Sequence, residues 1–461
     1  MKRISLIGSI LVIMTVLVLS GCVSSNNDSA QANTNNESND NDAAQNNDGN
    51  IEGDIPEVDM SEDITLVINE WRDLDEFEEL FKKPIEDEFP NITIETIPIM
   101  PYKSDLEEQF AAGVVPDIIM SPDFRYLPVI DEVGLSYDMT DLIEKFDFDI
   151  DRFDQNFLDM MRAYSPDGEL WGLPYMQNKA ALHYNKDIFD KFGVDYPEDD
   201  MTYDEVIELA KQVTGEMSGT DYIGMVMPSA DRYLFPPLGI TLVDPETDEP
   251  NFTKEPAIQK ILETYKEVDQ LQTEGSAHGD DAYGRFISER DIAMIPMYFL
   301  GLDWTGLLEE TGEGINWDIV TFPKWEEQGD VSAFADGYWL GVTDHTEHKE
   351  QAFKVIEFLL SEDEVKRKIR YPEESVYTDD AFLEKADDIR DPLLDDKNME
   401  ALYKYPAPEA SEGLSPYEET AKDVLAEGMG DFLEENQDVN TFLRELQEET
   451  EKRILEKKEN Q

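Results

Sequence analysis

Hydrophobic and polar positions follow two different periods along the first part of the chain. Short apolar or alternating runs at 64–68, 91–97 and 116–120 predict β-strands. Apolar residues at helical spacing over 74–81 and 106–112 predict helices between these strands. This alternation of strand and helix is typical of a parallel sheet covered by helices, so we expect an α/β protein.

Residues 167–187 predict a chain that leaves one lobe and enters another. An apolar run over 170–175 follows the turn signal Asp167-Gly168, and a second apolar run resumes at 180–184. Pro174 has no backbone N–H to donate, so the first strand must break there or lie at a sheet edge. We interpret the interruption as a crossing between two lobes. Three side chains at this crossing are expected in the cleft: Tyr175, Gln177 and Asn178.

The second half of the chain carries further helix and strand patterns. Thr202 and Glu205 have the spacing of a capping box, which predicts a helix start. The predicted elements are helices over 203–213, 253–271 and 349–360 and an amphipathic helix from 438, strands over 223–227, 317–322 and 336–342, and a loop over 229–238.

The N-terminus has the layout of a secretory signal peptide. Lys2 and Arg3 precede an apolar run over 4–19, which is short for a membrane span, and small residues then lead to Cys22. This end resembles the bacterial lipobox, so we expect residues 1–21 to be removed and Cys22 to carry the lipid (palmitate). Cys22 is the only cysteine, which excludes a disulfide framework. The polar stretch 22–62 is expected to be a disordered linker.

The charge of the chain limits the classes of partner. Asp and Glu number 106 against 37 Lys and Arg, which argues against nucleic acid because that binding needs a basic face. His345 and His348 would need a third protein ligand for zinc, so no metal site is predicted. No cofactor is predicted either.

Several sequence blocks resemble the extracellular solute-binding protein family 1, whose carbohydrate-binding branch is maltose-binding-protein-like. The blocks are DGELWGLP at 167–174, YNKD at 184–187 and FAAGVVPD at 110–117. A fourth block, FISERDIAM at 286–294, has Glu289 where the family usually has glycine. The resemblance runs from about residue 62 to the C-terminus.

This resemblance implies a two-lobed periplasmic-binding-protein-like fold, in which each lobe is a mostly parallel sheet flanked by helices. We expect residues 63–172 plus about 335–375 in the first lobe, and 173–334 plus about 376–461 in the second. The Gly-containing strand at 336–342 resembles the second crossing of the family.

The implied function is the substrate-binding lipoprotein of an ABC importer, anchored by lipid to the outer face of the bacterial cell membrane. It would close its lobes over a carbohydrate, expected to be an oligosaccharide, and deliver it to ABC permease subunits. We expect a monomer, and no catalytic residue is predicted.

The expected ligand-binding residues follow predicted strands or stand at positions that the family places in the cleft. Ligands of open α/β sheets bind beyond the carboxyl ends of the strands, and aromatic faces with polar groups suit a sugar. Each aromatic residue could instead belong to the core, and either Tyr338 or Trp339 should face the cleft because neighbours on a strand point to opposite sides. The full set is Trp71, Asp123, Tyr175, Gln177, Asn178, Tyr233, Tyr298, Trp304, Tyr338 and Trp339.

Two other classes of function use similar features. A surface glycan-binding adhesin or sensor lipoprotein would bind sugar without supporting uptake. A glycoside hydrolase would need two carboxylates about 5–10 Å apart, and in a chain this acidic the mere presence of such pairs decides nothing. Turnover of a sugar by the purified protein would distinguish the hydrolase from a binding protein.

Overall fold

The structure is a computed structural model, and it describes residues 58–460 with several gaps. The gaps are 71–73, 272–279, 299–314, 334–335, 370–373, 380, 384–388, 390–391 and 410–412. Cys22, Trp71 and Trp304 lie outside the described residues, so the predictions for them, for the signal peptide and for most of the linker stay predictions. Within the described ranges, no helix has the length and apolar content needed to cross a bilayer.

Ten strands are described. They are β1 Ile64–Asn69, β2 Ile92–Ile97, β3 Ile118–Ser121, β4 Leu173–Asn178, β5 Ala180–Asn185, β6 Gly215–Met217, β7 Thr220–Tyr222, β8 Met294–Tyr298, β9 Trp317–Thr321 and β10 Asp336–Val342.

The longer helices lie between and after these strands. Near the N-terminus, Leu74–Phe77, Glu78–Lys82 and Lys83–Glu88 form one continuous helix with a π-helical middle. The others are Lys103–Ala111, Leu127–Glu132, Thr140–Lys145, Gln155–Ala163, Lys186–Phe192, Tyr203–Gln212, Pro256–Asp269, Asp280–Gly284, Lys349–Leu359, Glu362–Lys368, Glu418–Glu434 and Val439–Asn460.

The first sheet has the strand order β2-β1-β3-β10-β4. β1 runs parallel to β2 and β3, whereas β10 runs antiparallel to both β3 and β4. The α/β class predicted from the alternation of strands and helices is confirmed. β4 lies at the edge of the sheet, and Pro174 sits inside it without breaking it, because an edge strand can spare one ladder N–H.

The second sheet is antiparallel, which corrects the expectation of a mostly parallel sheet in each lobe. β5 lies between β8 and β9 and runs antiparallel to both. The physical reason is the direction of the crossing strand. β5 enters from the first lobe at Ala180, next to the last residues of β8 and β9, so it must run opposite to strands that end at the cleft.

The described residues form three separate apolar cores, one in the first lobe and two in the second. The first core takes its buried residues from 64–176 and 338–382, together with Ala407. The second takes them from 182–333 and 417–454, and it includes the C-terminal helix Val439–Asn460, as its amphipathic pattern predicted. Val376, Tyr377 and Phe382 pack in the first core, although the predicted boundary placed them in the second lobe.

Two local predictions were wrong. The strand expected at 223–227 reduces to a single bridge between Ile223 and Ile292, and on its other side the Gly224 N–H donates to the Thr214 side chain instead of to another strand. The loop expected at 229–238 forms two helical turns, Ala230–Leu234 and Pro236–Leu238.

Candidate functional site

The loop after β3 holds a buried carboxylate in a fixed position. Asp123 caps the turn Phe124–Tyr126, with its Oδ1 accepting from the Arg125 N–H at 2.9 Å. The Arg125 guanidinium binds the same carboxylate with two nitrogens, Nε at 3.1 Å from Oδ1 and Nη2 at 2.8 Å from Oδ2. The Trp339 indole N–H donates to the backbone carbonyl of Asp123 at 2.8 Å. These hydrogen bonds hold the loop and the Asp123 carboxylate in one position.

An arginine from the second lobe reaches this carboxylate. Arg232 lies in the turn Ala230–Leu234, and its Nη2 is 2.5 Å from Oδ2 of Asp123 and 3.5 Å from Oδ2 of Asp336. The Arg232 side chain is only 16% exposed, and its guanidinium lies 5.6 Å from the centre of the Tyr298 ring at the end of β8. One guanidinium therefore joins the first lobe, the second crossing and the second lobe.

Asp336 is the first residue of β10, at the second crossing. Its Oδ1 accepts from the backbone N–H groups of Phe124 and Gly337, both at 2.8 Å. Burial raises the pKa of Asp336 to about 7, and the nearby Asp123 carboxylate acts in the same direction, while Arg232 and the two N–H groups oppose them. The site can therefore hold a neutral carboxyl group close to neutral pH.

Asp123 behaves differently although it is equally buried. Burial raises the pKa of a carboxyl group, but here Arg232 and Arg125 outweigh burial and hold the pKa of Asp123 below its ordinary value. The two adjacent carboxyl groups thus differ in charge. Asp123 has two guanidinium partners, whereas Asp336 shares only Arg232, at a longer distance.

A cavity of about 110 Å³ lies beside this cluster, between the lobes. Its walls combine charged groups with apolar surface, and they come from the β3 loop, the end of the helix Gln155–Ala163, the turns at 230–238 and the helix Glu418–Glu434. On the far side, Lys422 pairs with Glu419 at 2.6 Å and lies 5.9 Å from the Tyr164 ring. The lining includes Phe124, Arg125, Met160, Tyr164, Asp231, Arg232, Phe235, Asp336, Glu418 and Lys422.

Four of the predicted site residues lie where the lobes meet. Asp123 and Tyr298 both contact Arg232. Gln177 and Asn178 end β4 and are buried, and they face Gly337 and Asp336 respectively across the β4–β10 ladder. Asn178 Oδ1 is buried and accepts no hydrogen bond from the described residues.

The other described members of the predicted set lie deeper. Tyr175 and Tyr338 are buried in the first core with ring centroids 5.8 Å apart, and Tyr233 stacks on Phe322 in the second core. Trp339 is fully buried in the first core. Its contact with the Asp123 carbonyl fits a support for the loop better than a sugar-stacking surface.

Sequence reasoning missed several residues that line the cavity, chiefly Arg232, Asp336, Tyr164 and Lys422. The signal available for Asp336 was its place at the start of the Gly-containing strand. The residues around Arg232 and Lys422 in the sequence do not distinguish a buried basic side chain from an exposed one, so their burial could not be predicted.

In the part of the chain that the structure describes, no group of three or more His, Cys, Asp or Glu side chains is placed to hold a metal ion. Asp336 and Glu418 at the cavity instead accept hydrogen bonds from backbone N–H groups, and Lys422 pairs with Glu419.

The two lobes, the crossings that join them and the cavity between them define a two-lobed α/β binding protein. The profile of the family described as bacterial extracellular solute-binding protein matches residues 73–366, and the chain belongs to this family.

A relative and two solved structures are similar to this chain. The arabinooligosaccharide-binding protein of Halalkalibacterium halodurans is 26% identical over 285 residues, which are 58% of this chain and 60% of that relative's length. An ABC substrate-binding protein from Listeria monocytogenes in complex with cycloalternan has a TM-score of 0.66 at 19% identity, covering 85% of this chain and 98% of that one. An ABC transporter solute-binding protein from Thermotoga lettingae bound with alpha-D-tagatose has a TM-score of 0.67 at 18% identity, covering 84% and 99%. These likenesses show the two-lobed fold.

Proposed function

We propose that this protein binds an oligosaccharide between its lobes and delivers it to the permease of an ABC importer. The observation that carries the proposal is Arg232, which spans the lobes and binds Asp123 and Asp336 at the edge of a cavity. A charged cluster at this place can close over a ligand and hold it by hydrogen bonds from both lobes.

The chemistry of the cluster favours a neutral, hydroxyl-rich ligand. Carboxylates accept from hydroxyl groups and guanidinium groups donate to them, often in pairs. Asp123 pairs with both Arg125 and Arg232, and Arg232 also lies 3.5 Å from Asp336, so these charged groups have partners within the protein. Phe124, Phe235 and Tyr164 add ring surface to the walls, which suits the apolar faces of sugar rings. The relative named for arabinooligosaccharide and the structures with cycloalternan and tagatose support a carbohydrate ligand.

The proposed mechanism is hinge closure at the crossings between the lobes. The chain passes between the lobes at Lys179, between β4 and β5, again before β10, and a third time after Phe382, since Leu394 packs in the second lobe. Opening about these crossings must separate Arg232 from Asp123, since they belong to different lobes. A sugar hydroxyl that enters between them takes over these hydrogen bonds and stabilises the closed arrangement.

The proposed function includes a lipid anchor and further ligand contacts. Cys22 is the proposed lipid attachment, so the binding unit is tethered to the outer face of the cell membrane and acts as a monomer with its permease. Trp71 and Trp304 come after β1 and β8 in the sequence and lie outside the described residues. Both remain proposed ligand contacts, together with Tyr175, Gln177, Asn178, Tyr233, Tyr298 and Tyr338. We propose binding without turnover.

A thermal-shift screen of the full chain tests the proposal. The panel contains arabinose and its oligomers, mannobiose, maltotriose and tagatose, with amino acids, peptides and sn-glycerol 3-phosphate as controls. A ligand at 100 times its Kd stabilises the folded state by about 2.7 kcal/mol. We expect one sugar class to raise the midpoint and to be recovered chemically unchanged. A shift from peptides or amino acids alone would overturn the sugar assignment, and hydrolysis of the sugar would overturn binding without turnover.

A further inference from the structure

The first lobe carries an exposed aromatic ring that contacts Tyr126, the residue next to Arg125 in the chain. Tyr102 follows β2 and precedes the helix Lys103–Ala111, and 49% of the residue is exposed. Its ring packs edge to face on the buried Tyr126, with centroids 5.5 Å apart and planes at 70°. Burial raises the pKa of Tyr126, and a hydrogen bond with Tyr102 acts in the same direction. A buried partner therefore holds the Tyr102 ring while about half of its surface faces solvent.

Tyr126 and Arg125 connect this ring to the cavity wall. β2 and β3 both run parallel to β1, so the loops that follow them meet at the same edge of the sheet. Tyr126 comes directly after Arg125, whose guanidinium lies 5.9 Å from the centre of the Tyr126 ring. The Arg125 side chain lines the cavity and is still 43% exposed. Arg125, Tyr126 and Tyr102 therefore form an outer strip that leads from the cavity to the surface.

The cavity is too small to enclose a whole oligosaccharide, so the outer strip is where further sugar units could bind. At about 110 Å³ it is smaller than the pockets of roughly 300–1,000 Å³ that enclose typical small-molecule ligands. An oligosaccharide with one unit at Asp123 and Arg232 must place its further units outside the cavity. On the first-lobe side, the Arg125 guanidinium lines the cavity, and its contact with Tyr126 connects it to the Tyr102 ring.

We propose that Tyr102, held by Tyr126 beside Arg125, is an outer subsite that stacks on a sugar unit beyond the one bound at Asp123 and Arg232. The ring offers an apolar face to the C–H groups of the sugar, and Arg125 donates to its hydroxyl groups. The subsite makes the protein select oligosaccharides over monosaccharides. This inference rests on the proposed function and adds a selectivity for ligand length to it.

Calorimetric titration of the full chain with arabinose, arabinobiose and arabinotriose tests the subsite, and mannose, mannobiose and mannotriose form a second series. The quantity compared is the ratio of the monosaccharide Kd to the trisaccharide Kd. In Tyr102→Ala this ratio should fall about tenfold, which corresponds to about 1.4 kcal/mol, whereas Tyr102→Phe keeps the ring and should keep the ratio.

Tyr196→Ala is the matched control. Tyr196 is 39% exposed and packs edge to face on Phe189, but it follows the helix Lys186–Phe192, which begins where β5 ends, away from the cleft. This variant should keep the ratio of the wild type.

Each other result overturns a defined part of the account. An unchanged ratio in Tyr102→Ala, or equal weakening of monosaccharide and trisaccharide, overturns the outer subsite while the proposed function stands. A wild type that binds the trisaccharide no more tightly than the monosaccharide also overturns the subsite. A wild type that binds no sugar of either series overturns the proposed function, and the inference falls with it.

Discussion

Replacing Asp336 with asparagine should change how the stability of the protein depends on pH. The Asp336 carboxyl is buried between Asp123 and Arg232, and it accepts hydrogen bonds from the N–H groups of Phe124 and Gly337. Asparagine keeps an oxygen for these N–H groups but carries no proton that can be lost. The variant therefore removes one titration and leaves most of the local geometry.

The sign of the effect follows from the raised pKa. The pKa of Asp336 is about 7 in the folded protein, against 3.8 for an ordinary aspartate. Its contribution to stability is fully present below pH 3.8 and is lost as the pH rises towards 7, because the unfolded chain releases the proton first. The loss is about 1.4 kcal/mol per pH unit, or about 4 kcal/mol across the window.

This free energy converts to a measurable shift in melting temperature. For the unit Ile55–Gln461, an unfolding entropy of about 2.1 cal/mol/K per residue makes 4 kcal/mol equal to about 5 °C. Thermal midpoints of wild type and Asp336→Asn should be recorded from pH 4 to pH 7. The thermal midpoint of Asp336→Asn minus that of the wild type should increase by about 5 °C from pH 4 to pH 7.

Two comparisons make this test specific. Burial lowers the pKa of His183 to about 3, so its contribution to stability is lost as the pH falls, but both proteins share it and it cancels in the difference. A hydrogen bond from Lys404 lowers the pKa of Asp200, so its contribution to stability is lost only as the pH falls towards and below 3.8, and Asp200→Asn should leave the wild-type profile above pH 5 unchanged. Parallel profiles for wild type and Asp336→Asn would refute the assignment of a neutral Asp336.

Three further substitutions test the packing around the site by chemical or thermal unfolding. Arg232→Met should cost about 3 kcal/mol, because it leaves the buried Asp123 carboxylate with a single guanidinium partner, and a cost near zero would contradict the pairing across the lobes. Gly337→Ala should cost about 1–3 kcal/mol, since a Cβ there would lie 2.7 Å from the Met176 carbonyl oxygen, and an unchanged midpoint would show that the strands do not approach so closely. Trp339→Phe should cost about 2 kcal/mol through the lost indole hydrogen bond to Asp123 and the smaller ring, and a stable variant would argue against its supporting role.

Local signals in the sequence predicted the fold well. The spacing of Thr202 and Glu205 predicted a capping box, and both of its hydrogen bonds are present. Pro174 predicted an edge strand or a break, and the edge position of β4 satisfies it. These predictions succeeded because each rests on backbone chemistry within a few residues.

Such local signals could not predict the strand directions in the second sheet, nor which face of the central strand β10 lies towards the cleft. β5 runs antiparallel to its neighbours because it enters from the other lobe, which depends on the connection and not on periodicity. Either Tyr338 or Trp339 was expected to face the cleft; both are buried, since β10 lies between β3 and β4 in a covered sheet, so burial does not distinguish the two faces.

The site itself was predicted only in part for a similar reason. Asp123 could be proposed because it follows a strand end. Arg232 could not, because its role depends on a contact with a residue 109 positions away in the other lobe. Pairings at this separation are set by how the lobes close, which no local pattern encodes.

The most direct test of the central claim is a calorimetric titration of arabinotriose into wild type, Arg232→Met and Arg453→Met. Arg453 pairs with Glu427 and Glu449 on the surface of the second lobe and serves as the control. We expect one site per chain with a Kd in the micromolar range, which corresponds to about 8 kcal/mol, and the same affinity in the control. In Arg232→Met the affinity should fall at least about tenfold. A wild type that does not bind the sugar, or an Arg232→Met that binds as tightly as the wild type, would contradict a sugar site between the lobes at Asp123 and Arg232.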